Sequence, residues 1–320
     1  MKRFKNILFF SNPGVNQDVA IRRAGSLAKQ NDASLTVLSV IKELPDELRV
    51  PFTGSAILEI KERLVHDCRV HVEELCDGFR QEGIDAQPEV IVGTAFVEVI
   101  RAVLHDQYDL VILAADGKRG LLPRLLGSTS MHLMRKCPCP VWVIKPGTGK
   151  SYNRILAAVD VTEELWDDTE QLINPLILQL AGSLAQMEKS ELHVVQVWSV
   201  LHEGYLQVRG NLGDRELRRL RKGTKREYLQ KIGRLMRGID LSGIGVVKTH
   251  LKRSDDPASA IIKLAHKEKI DLLVMGTVCR TGIAGFFIGN TAEEVLSAVN
   301  CSVLTVKPEG FVSPVTLEQQ

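Results

Sequence analysis

Asp109-Leu110-Val111-Ile112-Leu113-Ala114 returns as Asp271-Leu272-Leu273-Val274-Met275-Gly276, displaced by 162 positions. A short, continuous apolar run of this kind is the pattern of a strand buried on both faces. The same displacement carries Gly120 to Gly282, Gly127 to Gly289, Cys139 to Cys301 and Lys145-Pro146 to Lys307-Pro308. Upstream, Ala24-Gly25-Ser26-Leu27-Ala28 recurs unchanged at 181–185, displaced by 157, and Ile7-Leu8 matches Ile155-Leu156, displaced by 148. A displacement that grows in two steps means insertions in two connections of the second copy. Its size is that of a whole domain rather than of a solenoid unit.

Working outward within the first copy, residues 7–10, 35–41, 89–92, 110–114 and 141–144 read as strands. Residues 19–29, 57–82, 96–105 and 128–136 read as the helices between them. Apolar strands alternating with helices predict a parallel sheet covered on both faces. The expected fold is therefore α/β, two tandem doubly wound domains with five-stranded parallel sheets. The first spans 1–146, a linker 147–152, the second domain 153–310 and a C-terminal tail 311–320. The linker segment Pro146-Gly147-Thr148-Gly149-Lys150-Ser151 superficially resembles a phosphate-binding loop, but Ile144 stands where the first glycine is required, and a strand rather than a helix follows.

Size and composition agree with two soluble domains. The chain has 320 residues, against roughly 100–200 per domain. It is 44% apolar and 25% charged, and no apolar run approaches the ~18 residues of a membrane span. The basic start is followed by an apolar run of only 7–10, ended by Ser11-Asn12-Pro13-Gly14, too short for a signal-peptide core. A cytoplasmic location is expected, with the six cysteines as reduced thiols. A net charge of +2 does not imply nucleic acid.

Glycine-rich segments follow the fourth strand of each copy, whereas a dinucleotide-binding dehydrogenase carries its glycine loop after the first strand. The first copy has Ala114-Ala115-Asp116-Gly117, nine residues, then Gly127-Ser128-Thr129-Ser130. The second has Gly276-Thr277-Val278-Cys279, nine residues, then Gly289-Asn290-Thr291-Ala292. Glycine removes the Cβ that keeps a backbone away from a phosphate, and the residues opening the next helix offer free N–H groups at its positive end. The same residues can equally form tight turns and helix caps with no ligand.

These loops resemble the Gly-x-x-Gly, nine residues, Gly-Ser/Thr signature of the universal stress protein family. The flanking Asp-Leu-(Val/Leu)-(Ile/Val), the terminal strands with Lys-Pro and the stretch Ile-Leu-Ala-Ala-Val-Asp160 fit it too. Gly289-Asn290-Thr291-Ala292-Glu293 and Arg135-Lys136-Cys137-Pro138 are similar to its tandem members, and the resemblance covers nearly the whole chain twice. It implies strand order 3-2-1-4-5, with a ligand between the ends of strands 1 and 4, and ATP or AMP as that ligand, with or without Mg²⁺. Carried over residue by residue, the first site comprises Asn12, Ala114, Gly117, Gly127, Ser128, Thr129 and Ser130. The second comprises Asp160, Gly276, Cys279, Gly289, Asn290 and Thr291. Neither matches fully: Asn12 keeps an acceptor without the charge of Asp160, Ala114 replaces a glycine, and Cys279 and Asn290 depart in the second loop. The first copy is the better phosphate site, since Cys279 puts a side chain where backbone should approach. Lys118 and Arg119 either add charge there or are solvated.

No paired CxxC, HExxH, nucleophile elbow or catalytic carboxylate pair is present, so no catalytic residue and no metal site are assigned. His66, Cys68 and His71 do not share one helical stripe. The basic segment 215–237 would place Leu217, Leu220, Thr224, Tyr228, Leu235 and Met236 on the sheet. Its outer face could meet nucleic acid or an acidic partner, but such faces are more often solvated. Without aromatic interleaving, nucleic acid is not expected as a partner. The expected function is a nucleotide-responsive stress regulator that alters contacts with an unknown protein partner. The alternatives are a scaffold independent of nucleotide and a slow ATP hydrolase. The last strands, 141–144 and 303–306, lie at sheet edges in this order, and the family implies their antiparallel pairing as an intrachain pseudo-dimer, with a homodimer also open.

Overall fold

A computed structural model describes residues 3–43, 54–116, 126–146, 151–162, 173–200, 203, 213–277 and 288–317, with side chains in the helix from Gly54 described from residue 59. Two compact units divide the chain. The first is built on Met1–Lys150 with the C-terminal segment from Phe311, the second on Ser151–Val278 and Gly289–Gly310. Within the first unit, Arg101 Nε donates to the Thr316 carbonyl at 3.4 Å.

The first unit runs β1 (Asn6–Ser11), α1 (Asp18–Asn31), β2 (Ser34–Ile41), α2 (Gly54–Gln81), β3 (Ala86–Val92), α3 (Ala95–Asp106), β4 (Leu110–Ala114), α4 (Ser128–Lys136) and β5 (Val141–Ile144). Its strands pair in parallel in the order β3-β2-β1-β4-β5. The second unit runs β6 (Arg154–Ala158), α5 (Ile173–Glu188), β7 (Glu191–Trp198), α6 (Asp214–Arg237), β8 (Val247–Arg253), α7 (Pro257–Lys267), β9 (Leu272–Gly276), α8 (Asn290–Ala298) and β10 (Ser302–Val306). Its order, β8-β7-β6-β9-β10, is again third, second, first, fourth, fifth, and again parallel throughout.

The repeated segments have repeated physical causes. Ile7, Leu8 and Phe9 of β1 and Leu110, Val111 and Ile112 of β4 are fully buried, as a sheet sandwiched by helices requires. In α1, Ala24, Leu27 and Ala28 are buried, and a Cβ on Gly25 would stand 3.0 Å from the Phe79 ring of α2. In α5 the matching Gly182 faces Leu241 in the same way, also at 3.0 Å. The repeated glycine therefore marks a close approach between neighbouring elements rather than a turn.

The acidic residue that opens the repeated stretch is a staple. Asp109 Oδ2 accepts the backbone N–H groups of Lys5 at 2.6 Å and Asn6 at 3.2 Å. Asp271 Oδ2 accepts those of Asn153 at 2.7 Å and Arg154 at 3.0 Å. One carboxylate thus fixes the first strand of each unit beside the fourth, and the ladders begin at Ile7↔Leu110 and Ile155↔Leu272. Burial pushes the Asp109 carboxyl above its usual pKa, against the backbone N–H groups of Lys5 and Asn6 that favour its charged form. In denaturant titrations, Asp109→Ala should lower stability by about 1–2 kcal/mol, the loss of two hydrogen bonds to partly exposed N–H groups, and Asp109→Asn, whose amide oxygen still accepts, by clearly less. Equal stability of Asp109→Ala and the parent would show that the staple is dispensable.

On the outer strands of the second unit, His193 is fully buried and stacks on His250, with ring centroids 5.0 Å apart and nitrogens at 3.1 Å. Glu191 receives Lys248 Nζ at 2.8 Å and His193 Nε2 at 3.2 Å, and these hold its carboxyl down to about 2. Burial, then the neighbouring His193, lowers the His250 pKa. A histidine whose folded pKa is depressed contributes stability that is present above the unfolded value of about 6.5 and lost as pH falls through the folded pKa. The second unit should therefore lose stability from pH 7 toward pH 5, and His250→Gln should flatten that decline. An unchanged slope in the variant would remove His250 from the explanation.

Candidate functional site

In this strand order the chain leaves β1 and β4 toward opposite faces, so a crevice opens at their carboxyl ends and, in the second unit, at those of β6 and β9. Asn12 follows β1. Its N–H donates to Gln17 Oε1 at 3.1 Å, its Oδ1 accepts the Gly14 N–H at 3.0 Å, and its carbonyl accepts the Val15 N–H at 3.1 Å. Buried Gln17 also donates through Nε2 to Ser11 Oγ at 3.1 Å. Across the crevice, the Ala115 N–H donates to the Ile144 carbonyl at 2.8 Å, carrying the β4–β5 pairing just past Ala114.

Gly127 precedes α4 at φ 80 and ψ 155, a conformation that favours glycine. The first intrahelical bond runs from the Met131 N–H to the Gly127 carbonyl at 3.1 Å, and no side chain caps the helix. The N–H groups of Ser128, Thr129 and Ser130 thus have no partner within α4 and sit at the positive end of its dipole. Ser128 is exposed, Thr129 half-buried and Ser130 buried. Half-buried Asp116 leans across this opening: a Cβ placed on Gly127 would meet Asp116 Cβ at 2.4 Å and Oδ2 at 3.0 Å.

The second unit repeats the frame with different filling. Asp160 donates its N–H to Asn174 Oδ1 at 2.9 Å and accepts Asn174 Nδ2 on its carbonyl at 2.8 Å. Its Oδ1 accepts the Thr162 N–H at 3.0 Å, the Thr162 hydroxyl, and Nε2 of buried Gln196 at 3.3 Å. Ile173 covers Gly276, with its Cδ1 2.7 Å from where a Cβ would be. Fully buried Thr277 accepts Lys307 Nζ on its hydroxyl at 2.5 Å and the Gly289 N–H on its carbonyl at 3.2 Å. Gly289 has φ −65, and the α8 start is again uncapped by a side chain, with Asn290 exposed, Thr291 half-buried and Ala292 buried.

The structure thus brings Asn12, Ala114, Gly127, Ser128, Thr129 and Ser130 to one crevice, and Asp160, Gly276, Gly289, Asn290 and Thr291 to the other. Gly117, Cys279, Lys118 and Arg119 lie outside the described residues. Sequence reasoning missed Gln17 and Asn174, which hold Asn12 and Asp160 by the same amide contact. Their displacement of 157, shared with the repeated Ala-Gly-Ser-Leu-Ala block, was the available signal. It also missed Asp116, Ile173 and Gln196 as residues that occupy the crevices. Among the described residues, no group of three or more His, Cys, Asp or Glu can hold a metal, the cysteines are free thiols, and no helix is long and apolar enough to cross a membrane.

Against known proteins, a model of the universal stress protein family matches residues 3–145 and again 151–307. The Universal stress protein E homolog of Haemophilus influenzae is 26% identical over 312 residues, covering 96% of this chain and 98% of its own. Universal stress protein E of Escherichia coli K12 is 24% identical over 322 residues, covering 100% and 99%. Among solved structures, a protein of Pseudomonas aeruginosa UCBPP-PA14 shares the fold at TM-score 0.68 and 22% identity, over 97% of this chain and 95% of its own.

The two glycines that open α4 and α8 should respond differently to a side chain. Gly127→Ala forces alanine to φ 80 and against Asp116, so it should lower stability by about 1–3 kcal/mol. Gly289→Ala, at φ −65, carries no such strain and should stay within about 1 kcal/mol of the parent. Equal losses in chemical denaturation would mean that the two loops share one conformation in solution.

Proposed function

Because the chain belongs to the universal stress protein family, we propose that its first unit binds an adenine nucleotide, ATP or AMP, between the ends of β1 and β4, and that the protein is a cytoplasmic regulator whose contacts respond to that nucleotide. The observation that carries this reading is the opening of α4. Three successive N–H groups without intrahelical partners lie behind a glycine held at φ 80, where a phosphate can approach bare backbone. Asn12 adds a polar side chain on the opposite wall. The second unit offers less: Gly276 lies under Ile173, and Asp160 Oδ1 is already engaged by Thr162 and Gln196.

Asp116 sets the terms of binding in the first unit. Its carboxylate leans over Gly127, so a phosphate must displace it or meet it across a cation such as Mg²⁺. Titration calorimetry of the full chain with ATP and Mg²⁺ should give one site per chain. Asp116→Asn should bind ATP more tightly in the absence of Mg²⁺ and show a smaller Mg²⁺ effect, and Gly127→Ala should weaken binding at least tenfold.

A second reading rests on the same side chains. Asp116 and Ile173 occupy one opening each, which suits a scaffold that works without nucleotide. No heat with ATP or AMP, with or without Mg²⁺, for the parent and for an Asp116→Asn/Ile173→Ala double variant would favour the scaffold and end the nucleotide reading.

A further inference from the structure

The segment 214–237 carries ten Lys or Arg against three Asp or Glu in a chain whose net charge is only +2. As α6 it buries Leu217, Tyr228 and Ile232, and Tyr228 packs with Trp198 and Val200, flanked by Val161 and Leu251. Leu220, expected on the sheet, is exposed: it lies about 60° around the helix from Leu217, while Ile232, which that expectation omitted, takes a buried place.

At 3.6 residues per turn, Arg215, Arg218, Arg219, Lys222, Lys225 and Arg226 fall within an arc of about 120° along one flank of the buried stripe, starting about 20° from Ile232, over roughly 17 Å of helix. All six are exposed, and among the described residues none makes an ion pair. Arg221 and Lys231, which do pair, with Glu203 and Glu227, lie outside the arc, as do Asp214, Glu216 and Glu227. A further cationic cleft of about 270 Å³ lies between β8 and α7, lined by Lys252, Arg253, Lys263 and Lys267. Glu203 accepts from both Arg221 and Arg253, which brings the flank of α6 to the end of β8 that lines this cleft.

We propose that this exposed cationic flank of α6 docks the phosphate backbone of a nucleic-acid duplex. A rigid row of cations without interspersed carboxylates matches a polyanion of uniform charge, and arginine, four of the six, meets phosphate oxygens in bidentate fashion. Base stacking is not part of this mode, since the arc holds no aromatic residue. An anionic bilayer fits less well, because an interfacial helix inserts its apolar stripe and that of α6 is already spent on the sheet. An acidic protein partner would need an apolar anchor, and within the arc only Leu229 is exposed and apolar. This surface is separate from the crevice of the first unit and does not depend on the nucleotide reading.

The test is fluorescence anisotropy of the full chain with a labelled 24-base-pair DNA duplex. Release of counterions from three to five phosphates should weaken binding roughly 20- to 140-fold between 50 and 150 mM NaCl. Arg218→Glu/Lys222→Glu/Arg226→Glu should reduce affinity at least 20-fold at 50 mM, and the milder Arg218→Gln/Lys222→Gln should fall between it and the parent. A control reversal on α2, Lys61→Glu/Arg63→Glu/Arg69→Glu, and saturating ATP should leave binding unchanged. The proposal is overturned by no binding at 50 mM NaCl, by α6 variants that bind like the parent, by competition from ATP, or by binding to phosphatidylserine vesicles without binding to the duplex.

Discussion

The parallel pairing of the first strand with the fourth is the contact on which everything else in each unit depends. β1 lies against β4 from the Ile7–Leu110 pair onward, and β6 against β9 from Ile155–Leu272. In each case an aspartate at the start of the fourth strand holds the start of the first through two backbone N–H groups. Because the chain departs from these two strands toward opposite faces, their carboxyl ends cannot both be covered by the connecting helices. An open doubly wound sheet leaves its ligand crevice there, and the glycine-led starts of α4 and α8 follow the fourth strand of each unit.

A shared frame has not kept the two crevices alike. The amide side chains of Gln17 and Asn174 hold Asn12 and Asp160 in the same manner, yet Asn12 closes a turn with one N–H while Asp160 gathers three donors on one oxygen. Gly127 sits at φ 80 and Gly289 at φ −65, so of these two positions only the first favours glycine for its backbone. An anionic side chain leans over the first opening and an apolar one over the second. Electrostatics can move the first aside when a cation or a competing phosphate arrives. The second is held by packing and offers no such lever.

Much of this architecture was legible in the sequence. Continuous apolar runs gave the first unit's strands to within a few residues, because strands buried on both faces leave no polar positions to confuse the period, whereas largely exposed β8, Val-Lys-Thr-His-Leu-Lys-Arg, carries no such run. The displacement of 162 exposed the duplication before any element was assigned. The crevices were less legible. Gly127 and Gly289 are the same letter at aligned positions, and nothing local distinguishes their torsions. Asp116 was noted only as part of a loop, and the Ile173 contact with Gly276 joins residues about a hundred positions apart, which no spacing rule reaches. Leu220 was misplaced because a charged helix tolerates an exposed leucine at the margin of its apolar stripe.

If bare amides at the start of α4, and not those of α8, receive an anionic ligand, the two helix starts must respond differently to ATP. Backbone amide resonances followed during ATP titration of the isotope-labelled full chain test it residue by residue. The signals of Asn12, Ser128, Thr129 and Ser130 should move with one saturable affinity while those of Asn290, Thr291 and Ala292 stay in place. Stationary signals at the start of α4, or movement confined to α8, would contradict it.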